Sequence, residues 1–180
     1  MRKLQIGVMG SAADLQYAKT AENAAYEIGT FIAKHNATLL FGAEKDSDSL
    51  STAAFRGAKD AGGLTVGVTY GKGKDVWQHG ADVIIPCGLE RGGGRETVLV
   101  TACDVVIAIS GGSGTLTELA IAYQADIPIV VLKGYGGWSD KLADTYLDER
   151  QRQLTHGAEN PEQAVKIALR EAAKYCKKYQ

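Results

Sequence analysis

The sequence has few cysteines and few prolines, and neither residue type forms a recognisable motif. Its three cysteines are Cys87, Cys103 and Cys176, and no CxxC pair or Cys/His spacing indicates a zinc site or a redox centre. Two of them end or follow apolar runs, which favours buried free thiols in a reducing compartment. We therefore expect a cytoplasmic protein, and we predict neither a metal site nor a cofactor.

Long hydrophobic runs and an imbalance of charge are also absent. No apolar stretch approaches the roughly 18 residues needed to cross a bilayer, and the residues after Met1 lead directly into a strand pattern without the apolar core of a signal peptide. The 20 basic and 21 acidic residues give a formal net charge of −1. Such a chain has no overall field that attracts nucleic acid or a membrane, so we expect neither as a partner.

Glycine is the one residue type in clear excess. The chain of 180 residues contains 22 glycines, whereas average usage is about 7%, and no collagen-like period accounts for them. The excess therefore indicates positions where the backbone needs special dihedral angles or a close approach, as it does around a bound phosphate. The length is that of one domain, and we predict a single domain over residues 1–180.

Apolar runs of strand length alternate with helical patterns along the chain. The strands 104–110 and 128–132 are apolar on both faces, which is typical of a parallel sheet covered on both sides. We predict an α/β fold, a single doubly wound Rossmann-like domain with a mostly parallel sheet and helices on both faces. Further strands are predicted over 4–9, 38–41, 64–69 and 82–86, and helices over about 16–35, 50–61 and 116–124, shortly after 94, around 142–147 and from an Asn160 cap onward.

The segment from Ser110 to Glu118 carries the strongest functional signal, because ligands of such sheets bind where strands end and helices begin. Its glycines let the backbone approach an anion, and the first amides of the following helix, with the helix dipole, would bind one. The segment is neither a Walker A loop nor a G-x-G-x-x-G fingerprint. The alternative is a tight turn that serves packing alone. The predicted phosphate-binding residues are Gly111, Gly112, Ser113, Gly114 and Thr115.

Two charged residues near this loop are candidates for chemistry. Glu118 can act on a sugar or stabilise an oxocarbenium-like transition state, or it can close a capping box with Thr115. Arg95 follows three glycines at the start of a helix, where the dipole disfavours a cation. It therefore needs an anionic partner, either a phosphate or Glu118. The alternative is a solvated arginine paired with Glu90 or Glu96.

The remaining polar clusters give weaker signals. Gly10 and Ser11 follow the first strand and are equally compatible with a ligand contact and a plain turn. The acidic residues after the second strand favour a solvated loop over a metal site. A glycine-rich loop around Tyr135 and Trp138 is compatible with stacking on a ring or with a subunit contact. The acidic residues are Glu44, Asp46 and Asp48.

From Arg95 to Glu118 the sequence resembles the LONELY GUY (LOG) and molybdenum-cofactor-carrier superfamily. The shared pattern is an arginine-bearing helix, a buried strand and then G-G-x-G-T-x-x-E, which is Gly111 to Glu118 here. The similarity extends over most of residues 4–133.

The resemblance implies a nucleotide-binding protein that hydrolyses the N-glycosidic bond of a nucleoside 5′-monophosphate to a free base and ribose 5-phosphate. It implies Glu118 and Arg95 as the catalytic pair, and Gly10, Ser11 and Gly42 as further substrate contacts. A homodimer or homotetramer is expected. The lysine decarboxylase label once given to such proteins has no support here, since no lysine site for pyridoxal phosphate is evident.

The sequence also departs from the LOG pattern. Only Gly42 remains of a glycine-rich motif after the second strand. Glu96 replaces a lysine, and Ser110 replaces a proline. These differences support an alternative, a carrier or sensor that binds a phosphorylated ligand such as a nucleotide or the molybdenum cofactor without turnover. We favour the enzyme narrowly over the carrier.

Overall fold

The computed structural model describes residues 2–45, 47–73, 75–88 and 94–178. Strands and helices alternate along this part of the chain. The strands are β1 Gln5–Gly10, β2 Thr38–Ala43, β3 Leu64–Thr69, β4 Val83–Pro86, β5 Val105–Ile109, β6 Ile129–Leu132 and β7 His156–Ala158. The helices are α1 Lys19–Lys34, α2 Leu50–Asp60, α3 Gly94–Thr101, α4 Ser113–Gln124, α5 Gly137–Leu142 and α6 Pro161–Lys178, with a short 3₁₀ turn at Ala13–Leu15.

The seven strands form a sheet in the order β4-β3-β2-β1-β5-β6-β7. Each pairing is parallel, with Val8 beside Phe41 on one side of β1 and beside Ile107 on the other. The chain builds outward from β1 to β4, then crosses to β5 on the opposite side. The predicted doubly wound α/β fold is confirmed, and the reversal of strand order places a crevice at the carboxyl ends of β1 and β5.

Alternate residues of the central strands belong to two apolar layers, one on each face of the sheet. In β5, Val105 and Ile107 pack with α1, α2 and α6, whereas Val106 and Ala108 pack with α3 and α4. All four side chains are fully buried. Because a buried Val, Leu or Ile contributes about 1.5–3 kcal/mol each, the two layers fix the sheet and the helix termini above its carboxyl edge.

Several elements differ from the sequence prediction. α4 begins at Ser113, three residues before the predicted start, and the strand β7 was not predicted at all. Trp138 lies in helix α5 instead of a loop, and the helix predicted around 142–147 is wrong because α5 ends at Leu142. Of the three cysteines, all free, only Cys103 is buried, while the other two are half-buried.

The last helix has the predicted amino-terminal cap. Asn160 Oδ1 accepts a hydrogen bond from the Gln163 amide at 2.9 Å, and Pro161 occupies the first helical position, where its missing N–H costs nothing. Along the described ranges, no helix has both the length and the apolar character that a membrane crossing demands.

Candidate functional site

The turn between β5 and α4 has an unusual backbone. Ser110 and Gly111 both have positive φ angles, +56° and +101°. A Cβ at Gly111 would lie 2.5 Å from Thr115 Cβ, so glycine is required there by both dihedral and space. A proline ring fixes φ near −65°, so the proline that the LOG pattern has at this position cannot adopt the conformation of Ser110.

The amino terminus of α4 presents free backbone donors. Gly112 is the cap residue, and no side chain caps the helix. The amides of Ser113, Gly114 and Thr115 precede the first intrahelical bond, which Leu116 donates to the Gly112 carbonyl at 3.0 Å. With the partial positive charge of the helix dipole, these three amides form a corner of the kind that suits an anion.

The early start of α4 also excludes the capping box considered from the sequence. Thr115 is the third helical residue and not the cap, so Glu118 does not return to the amide of a cap residue. Glu118 instead lies one turn further along the helix, on the same face as Thr115. Its carboxylate is therefore not used in capping, and Glu118 lines the cavity in front of the helix.

Ser11 lies behind the turn. Its Oγ accepts a hydrogen bond from the Gly111 amide at 2.9 Å and donates to Ser110 Oγ at 3.0 Å, and the residue is only 3% exposed. From the opposite side, Ser139 donates through its amide and its hydroxyl to the Ser110 carbonyl, and Trp138 N donates to the Gly111 carbonyl. The carboxyl end of β1 and the start of α5 thus hold the turn rigidly in place.

Arg95, in the first turn of α3, is buried among acidic and aromatic groups. Its guanidinium lies 4.5 Å above the Tyr70 ring, and Nη2 donates to the Tyr70 hydroxyl at 2.8 Å. Nη2 is also 3.3 Å from Glu96 Oε1 and 3.6 Å from Glu44 Oε1. The pairing with Glu96 agrees with one sequence-based alternative, but the arginine is not solvated, and Glu90 lies outside the described residues.

Gly42 makes room for this arginine. A Cβ at position 42 would lie 1.6 Å from Arg95 Nη1, closer than any non-bonded contact. The lack of a side chain at Gly42 is what admits the guanidinium, and its role as a substrate contact stays a prediction.

Tyr70 and Glu96 form the support of Arg95. The Tyr70 hydroxyl donates a short hydrogen bond to Glu96 Oε1. Burial and this bond raise the pKa of Tyr70 to about 12. Burial opposes ionisation of Glu96, but the bonds from Tyr70 and Arg95 prevail and lower its pKa. Glu96 is therefore a fixed anion, and the pKa of Arg95 is raised by its anionic neighbours against the effect of burial.

Glu118 is the least satisfied of these acids. It is 7% exposed and has no hydrogen bond from any described residue. Burial raises its pKa to about 7, with Arg95 opposing and the nearby Glu96 and Glu44 reinforcing the shift. At neutral pH, Glu118 is therefore poised between its neutral and charged forms.

These groups line a cavity of about 360 Å³ at the carboxyl edge of the sheet, within the size range of small-molecule sites. It brings together most of the residues predicted from the sequence: Gly10, Gly42, Arg95, Gly112, Ser113, Gly114, Thr115 and Glu118. Gly111 lies in the turn itself and Ser11 lies behind it, and neither residue lines the cavity.

Sequence reasoning missed part of this site. Tyr70 and Glu96 line the cavity, and so does Glu44, whose side chain is only 17% exposed. The interpretation of Glu44 as part of a solvated loop is therefore wrong, because its carboxylate lies near the buried Arg95 guanidinium. Asp48 does lie at the surface, paired with Arg56, and Asp46 is outside the described residues. The usable signal was position, since Glu44 and Tyr70 directly follow β2 and β3.

The acidic residues do not converge as a metal site would. Within residues 2–45, 47–73, 75–88 and 94–178, no group of three or more His, Cys, Asp or Glu side chains could hold a metal ion. Among the described residues, the site therefore consists of two parts. One is the corner at the start of α4, and the other is an acidic wall formed by Glu44, Glu96 and Glu118 beside Arg95.

Comparison with known proteins identifies the family. The model of the SLOG cluster4 family matches residues 3–165. The chain belongs to this family. An uncharacterized protein of Archaeoglobus fulgidus is 32% identical over 133 residues, which are 74% of this chain and 82% of that protein.

Solved structures of the same fold include molybdenum-cofactor proteins. The molybdenum cofactor binding protein of Rippkaea orientalis is 31% identical with a TM-score of 0.78, and the match covers 94% of this chain and 98% of that one. The molybdenum cofactor carrier protein of Chlamydomonas reinhardtii is 30% identical with a TM-score of 0.80, with coverage of 96% and 99%. The SLOG cluster4 chain thus matches the predicted LOG and molybdenum-cofactor-carrier superfamily.

Proposed function

We propose that this SLOG cluster4 protein binds a small phosphorylated heterocyclic ligand, a nucleotide or the pterin of the molybdenum cofactor, and holds it intact as a carrier or sensor. The phosphate would occupy the corner at the start of α4, and the ring would extend toward the acidic wall. One observation carries the proposal: three amides at a helix terminus, without a hydrogen-bond partner among the described residues, belong to residues that line a cavity of ligand size.

The state of Arg95 favours retention of the ligand over cleavage. A LOG-type glycosidase would use Arg95 and Glu118 as its catalytic pair. Here Arg95 is engaged by Tyr70 and Glu96 and lies near Glu44, so its charge is largely compensated before a ligand arrives. The similarity to molybdenum-cofactor carriers over nearly the full chain supports the same conclusion.

Hydrolysis of a nucleoside 5′-monophosphate is the second candidate, and Glu118 favours it. A general acid or base works best with a pKa near the working pH, and Glu118 has a pKa of about 7. In this reaction water would add across the N-glycosidic bond, giving the free base and ribose 5-phosphate. We expect any such activity to disappear in Glu118→Ala.

The experiment combines binding with product analysis. The purified protein is incubated with AMP, GMP, CMP and UMP, its thermal unfolding is recorded, and the ligands are then separated by chromatography. We expect at least one compound to raise the melting temperature and to be recovered intact. Release of free base that Glu118→Ala abolishes would establish the enzyme instead of the carrier.

A variant at Gly114 tests the phosphate corner directly. A Cβ at this position meets no atom within 4 Å, so alanine fits sterically and aspartate meets open space at its Cβ. The aspartate would place its own negative charge at the α4 terminus and repel a phosphate, whereas alanine would not. We expect Gly114→Asp to abolish binding and Gly114→Ala largely to retain it. Equal affinity of the two variants for phosphorylated ligands would contradict the proposed phosphate position.

A further inference from the structure

Two unsatisfied polar atoms belong to adjacent residues that line the cavity. Across the described residues, the buried side-chain atoms without a hydrogen-bond partner are Arg95 Nε, Glu96 Oε2 and Thr155 Oγ1. Folded proteins satisfy about nine in ten or more of their buried polar groups. Two of the three exceptions belong to adjacent residues that line one cavity, which points to a missing hydrogen-bonding partner there.

The unsatisfied atoms are held in fixed positions by the satisfied ones. Nη2 of Arg95 is bound to the Tyr70 hydroxyl and lies 3.3 Å from Glu96 Oε1, and the Tyr70 hydroxyl donates to that same Oε1. The side chains of Arg95 and Glu96 are 8% and 6% exposed. What remains is one N–H donor on Arg95 and one carboxylate acceptor on Glu96, both of them buried.

The charge around this pair favours a ligand with more donors than acceptors. Among the described residues, Glu44, Glu96 and Glu118 all lie near the Arg95 guanidinium, and none of these residues donates a hydrogen bond to Glu118. A ligand that donates hydrogen bonds to these carboxylates would satisfy them. A planar ring edge with one carbonyl and two kinds of N–H matches one donor and two carboxylate acceptors.

We propose that Arg95, Glu96 and Glu118 recognise the 2-amino-4-oxopyrimidine edge that guanine and pterin rings share. The ring carbonyl accepts from the Arg95 guanidinium, the ring N–H donates to the Glu96 carboxylate, and the exocyclic amino group donates to Glu118. Glu96 is then the residue that determines specificity for the ring. The inference rests on the proposed function, because the phosphate of the same molecule occupies the α4 corner.

Calorimetric titration of the wild-type protein tests the edge with matched probes. IMP lacks only the amino group of GMP, XMP replaces it with a carbonyl, and 2′-deoxy-GMP lacks only a sugar hydroxyl. Ribose 5-phosphate reports on the phosphate corner alone, and 6-hydroxymethylpterin monophosphate represents the pterin source. A lost hydrogen bond to a charged group weakens binding roughly tenfold to 100-fold. We expect GMP or the pterin to exceed IMP by that factor, and XMP to bind most weakly.

The Glu96→Gln variant tests the residue. We expect its affinity for GMP and the pterin to fall at least about tenfold, while its affinity for ribose 5-phosphate changes less than about twofold. Glu162→Gln is the matched control, since it removes the same charge from a side chain on α6 that is 54% exposed. The comparison of GMP with IMP on the wild-type protein stands even if Glu96→Gln fails to fold.

The outcomes separate this inference from the proposed function. If GMP, IMP and the pterin bind with the affinity of ribose 5-phosphate, the protein does not recognise the ring, and an ordered water satisfies Arg95 Nε and Glu96 Oε2. The proposed phosphate site would still hold in that case. If 2′-deoxy-GMP loses as much affinity as IMP, the acidic wall binds sugar hydroxyls and the ring assignment is wrong. If no phosphorylated probe binds, the proposed function itself fails.

Discussion

Replacing Glu118 by glutamine should stabilise the protein at alkaline pH and leave it unchanged in acid. The pKa of Glu118 rises from 4.5 to about 7 on folding, so the folded state holds this proton more tightly than the unfolded chain. The contribution of Glu118 to stability is therefore greatest below pH 4.5 and is lost as the pH rises through 7. That interval corresponds to about 3 kcal/mol. A glutamine side chain cannot ionise, so the variant is spared this loss.

The assay is urea unfolding of both proteins at pH 4.5, 6, 7 and 8.5 in buffers free of phosphate. We expect Glu118→Gln to match the wild type at pH 4.5 and to exceed it by up to about 3 kcal/mol at pH 8.5. Glu162→Gln, which removes an exposed carboxylate, should show no comparable pH dependence. A difference between wild type and Glu118→Gln that is constant with pH, or a less stable variant at pH 8.5, would refute the electrostatic account of the site.

Three further predictions concern packing, capping and assembly. Gly42→Ala should cost about 1–3 kcal/mol in urea unfolding and abolish ligand binding, because its Cβ would displace the Arg95 guanidinium; retention of binding would contradict this role. Asn160→Ala should cost about 1 kcal/mol through loss of the α6 cap, and an unchanged unfolding midpoint would contradict the capping role. The predicted homodimer or homotetramer should use the apolar hollow around Leu116 and Ile121. Ile121→Arg should then sediment as a monomer, and an unchanged sedimentation coefficient would exclude this surface.

The fold was predictable where strands are buried on both faces. The run Val105–Ile109 is wholly apolar and becomes the fully buried β5, since a strand covered by helices on both sides has no place for polar residues. The short β7 was not predictable in this way. His156–Ala158 contains a single buried residue, and its pairing with β6 comes from the tertiary fold and not from local preference.

The site was predictable where it depends on backbone and less so where it depends on long side chains. Consecutive glycines after a strand predicted a turn with special backbone angles, and Gly111 has such an angle, whereas phosphate binding there stays a prediction. The start of α4 was placed too late because Ser113 and Gly114 have weak helix preference, although an exposed helix terminus tolerates them. The partners of Arg95 escaped prediction, since Tyr70 and Glu44 meet it only after β2, β3 and α3 have assembled.

The reversal of strand order at β1 has a consequence for release of a ligand. One wall of the cavity follows β1 and β2, and the facing wall belongs to α4 after β5. A bound ligand would therefore contact both halves of the sheet, and at a free concentration 100 times its dissociation constant it would stabilise the folded state by about 2.7 kcal/mol. Release of the ligand should then increase the mobility of both halves of the sheet together. The ligand-free protein should therefore differ from the ligand-bound protein in the mobility of segments far from the ligand.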